Sequence, residues 1–406
     1  IDEAHNLVDR SREMFSIEIS KKAFYEVKKE YQGKSKALNK ILTEINKEMI
    51  QLRKLCGEDG HLVNREKPEA LCKLITKFTS VCEELLKEDK KLGEDNEFLQ
   101  LYFTGLHFLT IGEFYDDRYV TFVETGGGNE VRVKLFCLDP SYLLKEGLKR
   151  GGSAVLFSAT FSPLEYFREI LGGDEEDNML ALDSPFDKDR LCVMIANHVS
   201  TKFNYRQQSI GEVVELIGTF VSKKTGNYIV YFPSYKYLED VYEEFIGAYP
   251  EIQVVKQEGI MSEEEREEFL DSFQEEPEET YVAFCVLGGI FAEGIDLQGS
   301  RLIGSVIVSV GLPQVSVQQN IIRDYFNEKN SRGFEYAYIY PGMNKVLQGA
   351  GRVIRTEQDR GAILLIDERY TQWTYARLIP NHWQPRRVIR DVKTLERVLG
   401  DFWELE

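Results

Sequence analysis

Tyr228-Ile-Val-Tyr-Phe232, then Pro233-Ser234, then Tyr235-Lys-Tyr-Leu-Glu-Asp-Val-Tyr-Glu-Glu-Phe245 is the stretch on which the fold turns. Five β-prone apolar residues in a row suit a strand covered on both faces, and the segment after them spaces its apolar side chains as a helix does. The same unit recurs from Gly152 onward. Apolar runs at Ala154–Phe157, Cys192–Ala196, Tyr281–Val286, Leu302–Val308 and Ala362–Ile366 alternate with helical patterns such as Gly211–Val221 and Ser262–Phe273. Such alternation predicts a parallel sheet with helices on both sides.

The part before Gly152 has another character. Ser16–Lys91 is rich in Lys, Glu and Leu, with Leu38, Ile41, Leu42, Ile45 and Ile50, and then Leu71, Leu74, Ile75, Phe78 and Val81, at helical spacing. Tyr119–Val123 and Val131–Leu138 flank Thr125-Gly-Gly-Gly-Asn129, the pattern of a hairpin with a glycine turn. A helical insert closed by a β-ribbon describes this region. Its aromatic residues Tyr102, Phe103, Phe114, Tyr115 and Tyr119 are open to two uses, stacking on bases or packing in a core.

Length and composition set bounds. A chain of 406 residues has room for two or three domains and a large core. Its formal net charge of −18 excludes a global basic field, so any nucleic-acid contact must be local. Gln257–Thr280 holds eleven acidic residues against one arginine, a solvated face, whereas Lys345–Arg390 holds nine basic residues against four acidic ones. Basic surface is expected in that later segment. No run of about 18 uncharged apolar residues occurs, so no membrane span is expected. The six cysteines (Cys56, Cys72, Cys82, Cys137, Cys192, Cys285) include no CxxC pair, which points to buried reduced thiols of a cytoplasmic protein rather than a zinc site or cluster. The chain opens Ile1-Asp2-Glu3-Ala4-His5, with no initiator Met and no signal peptide, and reads as cut from something longer.

Four motifs carry chemistry. Asp2 and Glu3 have the residue types of a Walker-B end, a carboxylate for Mg²⁺ beside one that orients or deprotonates water. Ser158-Ala159-Thr160 places two hydroxyls at the carboxyl end of an expected buried strand, where ligands approach open α/β sheets; otherwise Thr160 or Ser162 caps the next helix. Phe291-Ala-Glu293-Gly294-Ile-Asp296 follows a strand and the pair Gly288-Gly289, which permit close backbone approach. Gln348-Gly-Ala-Gly351-Arg352-Val-Ile-Arg355 places two arginines on one face of an expected helix, suited to the charge of a γ-phosphate; the alternative is ion pairing with Glu357 or Asp359.

In this order the motifs resemble superfamily 2 helicases of the XPD/DinG type. The long interval between His5 and Ser158, Cys137-Leu-Asp-Pro-Ser141 ahead of the Ser-Ala-Thr segment, and Ile354, where DEAH-box RNA helicases usually have Gly, select that branch. The resemblance implies an α/β fold: a RecA-like parallel-sheet motor domain of the helicase C-terminal type with a mainly α-helical Arch insertion. It divides the chain into 1–15 with 139–180 (the last part of motor domain one), 16–138 (the Arch with its hairpin) and 181–406 (motor domain two). It implies an ATP-dependent DNA helicase of repair or replication that moves 5′→3′ on single-stranded DNA through a hole between Arch and motor, with ATP and Mg²⁺ as cofactors. By resemblance Asp2 holds Mg²⁺ and Glu3 is the catalytic base, while His5 couples the nucleotide site to the second motor. Ser158 and Thr160 link hydrolysis to movement, and Gly294 and Asp296 line the nucleotide and DNA cleft. Gln348 approaches the γ-phosphate, Arg352 and Arg355 are arginine fingers, and Gly226–Ser234, with Tyr231, Phe232 and Ser234, touches the DNA backbone.

The family's phosphate loop and the four cysteines of its [4Fe-4S] cluster are expected upstream of the acidic pair, so the chain alone is expected to be inactive. Gly33-Lys34-Ser35 is no substitute, since Lys28 stands where the first glycine of GxxxxGK[ST] belongs and no strand precedes it. Two other readings remain: a non-catalytic DNA- or protein-binding module with inherited motor motifs, and an RNA helicase, which Ile354 and the long insert disfavour.

Overall fold

The computed structural model describes residues 1–88, 96–292 and 297–404, in two compact units: 1–158 with 167–177, and 159–166 with 178–404.

In the first unit α1 (Leu7–Met14) leads into β1 (Ile17–Ser20), α2 (Lys21–Glu30) and α3 (Lys36–Leu55). There follow β2 (His61–Asn64), α4 (Glu69–Glu88), α5 (Asn96–Glu113), β3 (Tyr119–Thr125), β4 (Val131–Cys137) and α6 (Ser141–Leu148). The hairpin is present in full register from Tyr119↔Cys137 to Thr125↔Val131. Its turn closes with the Gly126 N–H on the Glu130 carbonyl, and Gly128 sits at φ 68°, a left-handed conformation that favours glycine. The ribbon is larger than expected: β1 and β2 flank it in an antiparallel sheet ordered β1-β4-β3-β2. Both added strands have four residues, too short for alternation to reveal them. Phe24, Ile45, Ile75, Phe78, Phe98, Phe108, Val123 and Leu135 are among the core residues joining the helices to this sheet. Tyr119 is buried and stacks on Tyr115, so both support the hairpin, while Phe103 is 58% exposed.

After α7 (Leu164–Ile170) the second unit builds a sheet from β5 (Leu191–Ala196), β6 (Asn227–Phe232), β7 (Gln253–Lys256), β8 (Tyr281–Val286), β9 (Gly304–Val308), β10 (Gly361–Ile366) and β11 (Arg386–Ile389). The order is β11-β5-β10-β9-β6-β8-β7, and every pair is parallel. The helices are α8 (Arg206–Ser222), α9 (Tyr235–Ala248), α10 (Glu263–Asp271), α11 (Val317–Asn330), α12 (Tyr340–Ala350), α13 (Trp373–Ala376) and α14 (Val392–Trp403).

This is the expected RecA-like α/β architecture. On one sheet face Val230, Phe284, Val306 and Leu364 meet Ile217, Phe220, Val241, Phe245 and Leu399 of α8, α9 and α14. Tyr231, Cys285, Ile307 and Leu365 alternate to the other face, where a Cβ on Gly349 of α12 would come 3.2 Å from the Tyr231 ring. The acidic segment folds as expected, with a Ser262–Glu265 capping box opening α10.

One expected strand is not part of a sheet. Residues 154–157 are extended, and their ladder is with the chain start: Ala4 N–H donates to the Phe157 carbonyl and Phe157 N–H to the Ile1 carbonyl, both at 3.1 Å. Val155 and Phe157 are 71% and 52% exposed, so the apolar run is not buried among the described residues. Among these residues no helix is long and apolar enough to cross a membrane.

Candidate active site

The ladder between the chain start and residues 155–157 brings Asp2, Glu3 and His5 alongside Ser158. Asp2 Oδ1 accepts from the Glu3 backbone N–H at 2.7 Å, and Glu3 takes a left-handed conformation with φ 46°. The Ser158 hydroxyl donates to Glu3 Oε2 at 3.3 Å, and Ser158 Oγ lies 2.7 Å from His5 Nδ1, which is itself 3.2 Å from the same Glu3 oxygen. His5 is buried whereas Asp2 and Glu3 are exposed, so two carboxylates face solvent above an anchored histidine.

The second hydroxyl of the Ser-Ala-Thr segment belongs to the other unit. Thr160 Oγ1 donates to Asn344 Oδ1 at 2.9 Å, with both side chains buried. Asn344 lies on α12 one turn before Gln348, also buried, so the two share a helix face. The Ser162 hydroxyl donates to the Leu378 carbonyl at 2.9 Å. No sequence signal singled out Asn344 beyond its i, i+4 relation to Gln348.

The arginines do not lie on a helix, contrary to expectation. The helix α12 ends at Ala350, and the chain leaves it at Gly351. Asp359, buried, holds the loop that follows: Oδ2 accepts from the backbone N–H of Arg355 at 2.6 Å and of Thr356 at 2.8 Å, and Oδ1 from the Thr356 hydroxyl at 2.6 Å. A carboxylate gathering two successive amides turns the backbone away from the helical path. The buried Asp359 carboxylate thus takes two backbone donors and a hydroxyl donor here. Arg352 Nε donates at 3.2 Å to the carbonyl of Ala292, the second residue of the motif that begins at Phe291. Arg355 lines a recess of about 380 Å³ with Thr160, Leu347, Ile354, His382 and Trp383. Burial lowers the His382 pKa below the ordinary histidine value, Asp183 raising it and Lys188 lowering it further.

Gly294 and Asp296 lie outside the described residues. Gly288 has φ +75°, and a Cβ there would meet the Lys345 side chain at 2.8 Å, so this glycine serves a close packing contact. Tyr231 and Phe232 are fully buried strand residues, and the Tyr231 hydroxyl donates to the Phe291 carbonyl at 2.8 Å. Their rings belong to the core and are not presented to a nucleic-acid backbone, because every residue of β6 is covered on both sheet faces. Ser234, beyond the strand, caps α9 by accepting from the Tyr237 N–H. A further group that sequence reasoning missed follows β10: buried Asp367 accepts from Arg369 Nε at 2.7 Å and from the Thr201 N–H at 3.3 Å, and is also bonded by the Thr201 hydroxyl.

The family model described as the helicase C-terminal domain matches residues 217–386. ATP-dependent DNA helicase chl1 of Schizosaccharomyces pombe is 24% identical over 294 residues, covering 66% of this chain and 34% of that protein. ATP-dependent DNA helicase CHL1 of Debaryomyces hansenii is 22% identical over 441 residues, covering 91% of this chain and 52% of that protein. ATP-dependent DNA helicase DinG of Photobacterium profundum is 26% identical over 262 residues, covering 62% and 37%. Among solved structures, S. tokodaii Xpd4 superposes with a TM-score of 0.63 at 16% identity, covering 96% of this chain and 75% of that one. The structure named XPD_APO gives 0.58 at 20%, covering 96% and 76%, and these two likenesses speak to the fold.

The second unit thus carries a helicase C-terminal domain. The chain is similar to helicases of the XPD/DinG type, and it spans between about a third and a half of the length of these curated relatives.

Proposed function

We propose that the chain is part of an ATP-dependent helicase that moves 5′→3′ along single-stranded DNA in repair or replication, within the cytoplasm. The observation that carries the reading is the Ser-Ala-Thr segment. Ser158 is bonded to the acidic motif through Glu3 and His5, and Thr160, two residues on, is bonded to the helix that carries Gln348 and leads into Arg352 and Arg355. A change in protonation or ligation at Glu3 therefore reaches a hydroxyl only two residues from one bonded to the helix that carries Gln348.

Asp2 and Glu3 fit the hard-cation chemistry of a nucleotide site, because Mg²⁺ typically takes one or two carboxylates and completes its shell with water and phosphate oxygens. Asp2 would hold the ion, which when bound neutralises charge on the β- and γ-phosphates. Glu3 orients the attacking water and accepts its proton, and His5 holds Glu3 and Ser158 in register. Gln348 approaches the γ-phosphate, and the Arg352 and Arg355 guanidinium groups stabilise the charge that develops there. By resemblance Gly294 and Asp296, which lie outside the described residues, are assigned to nucleotide binding, and Ser234 to contact with the DNA backbone.

The six cysteines are buried and unbridged, and among the described residues no group of three or more His, Cys, Asp or Glu side chains is placed to hold a metal ion. We divide the chain into 1–15 with 139–180, 16–138 and 181–406 as motor remnant, Arch and second motor.

ATP turnover by the full-length protein tests the reading. Turnover should be stimulated by single-stranded DNA more than by RNA, and Arg352→Ala or Arg355→Ala should lower it by roughly 10³–10⁵. Unchanged turnover in both arginine variants would instead support a binding module.

A further inference from the structure

The Gly33-Lys34-Ser35 triplet has no part in the proposed nucleotide machinery, yet its Gly33 lines a recess of about 600 Å³ formed where α2 gives way to α3. Tyr25, Lys28, Lys29, Gln32, Lys36 and Lys40 wall it. Among the described residues no carboxylate lies within ion-pair distance of these four lysines; on α2, Glu26 pairs with Lys22 at 3.7 Å and Glu30 with Lys34 at 4.0 Å.

Lys28 and Lys29 occupy the last turn of α2, where positive charge complements the helix dipole and helps the fold. Lys36 and Lys40 have no such excuse. They lie in the first turns of α3, whose exposed N–H groups already give that end a partial positive charge, so two ammonium groups there oppose the helix they sit on. Four unpaired cations converging on one concavity, half of them placed against the local dipole, are relieved by a ligand with several negative charges. In a chain of net charge −18 this is also the kind of local positive field to which a polyanion is steered. By contrast, arginines in the basic segment Lys345–Arg390 are drawn inward: Arg369 pairs with Asp367, and Arg386 donates to the Ala376 carbonyl.

We propose that this recess binds the phosphodiester backbone of single-stranded DNA. Tyr25 favours a nucleic acid over an acidic peptide: its ring is 61% exposed at the rim of the lysine cluster, where an unstacked base can lie on it. The inference rests on the DNA-helicase reading only in naming the polymer; the site itself is separate from the residues assigned to ATP.

The test is fluorescence anisotropy of a labelled 20-nucleotide oligo-dT with the 406-residue chain, repeated across salt concentrations. The variants are K28E/K29E/K36E/K40E, Tyr25→Ala, and a control of equal charge change, K47E/K54E/K73E/K77E, each checked by circular dichroism for an unchanged fold. The lysine variant should bind at least tenfold more weakly, with a salt slope lower by ~2–3, since each single-strand phosphate contact contributes about 0.7. Tyr25→Ala should weaken binding about fivefold, and the control should match the unaltered chain. Equal binding by patch and control variants, or no binding by the unaltered chain, overturns the proposal. Tighter binding of poly-glutamate than of oligo-dT overturns it in favour of an acidic peptide. Loss of ATP turnover in Arg352→Ala bears on the helicase reading alone and leaves this binding unchanged.

Discussion

The Thr160 hydroxyl donates to Asn344 Oδ1 at 2.9 Å, and both side chains are buried, which ties the Ser-Ala-Thr segment to α12 within the second unit. Removing one partner leaves a buried polar atom unsatisfied, whereas removing both need not. Thr160→Val should therefore cost about 1–3 kcal/mol, and Thr160→Val with Asn344→Leu should recover much of that loss. Urea denaturation of the single and double variants measures it; simple additivity would show that the bond carries no coupling.

The loop after α12 depends on Asp359. Asp359→Ala removes the acceptor of two backbone amides and a hydroxyl, and should destabilise the chain by about 2–3 kcal/mol. Under the proposed function it should also abolish turnover, because Arg352 and Arg355 lose their placement. A variant with wild-type melting temperature and wild-type turnover would refute this account of the loop.

Acid stability should report on Asp367. Burial raises the carboxyl pKa, but the Arg369 hydrogen bonds and charge, together with Thr201, outweigh it and hold Asp367 below the usual carboxylate range. A carboxyl depressed in the folded state stabilises fully above its unfolded pKa of about 3.9 and loses that contribution as pH falls through the folded value. Stability should decline as pH drops below about 4, and Asp367→Asn should flatten that limb while costing about 3–5 kcal/mol at neutral pH by leaving Arg369 unpaired. An Asn variant with an unaltered acid limb would contradict the assignment.

Thiol chemistry gives a direct reading of the core. All six cysteines are free and buried, and burial raises each of their pKa values. A thiol reagent at pH 8 should modify none of them rapidly in the native chain and all six in guanidinium. Rapid native labelling at Cys56 or any other position would show that burial there is not maintained.

Much of the fold was legible because buried parallel strands have no solvent face and read as unbroken apolar runs. Cys192–Ala196, Tyr228–Phe232, Tyr281–Val286 and Ala362–Ile366 match strands to within a residue. The edge strands β7 and β11 were not found: Gln253-Val-Val-Lys256 and Arg386-Arg-Val-Ile389 carry charge on a partly exposed ladder and lack that signature. Residues 154–157 carry the apolar signature without the burial, since composition records what a segment could pair with and not what lies beside it.

The candidate site divides in the same way. The residue types and order of Asp2, Glu3, His5, Ser158, Thr160, Gln348, Arg352 and Arg355 were readable from the chain alone, because each motif is contiguous and its chemistry follows from side-chain type. So were the parallel α/β class and the helical insertion, since periodicity is a local property. Tertiary structure alone decided that Ser158 and Thr160 serve two different hydrogen-bond networks, that Tyr231 and Phe232 belong to the core, and that Asp359 draws the arginine loop off its helix. Only the folded chain could place four lysines around one recess, two of them against the dipole of α3. Each of these depends on which groups from distant or differently turned segments reach hydrogen-bonding or Coulombic range, a quantity fixed by packing and absent from any window of sequence.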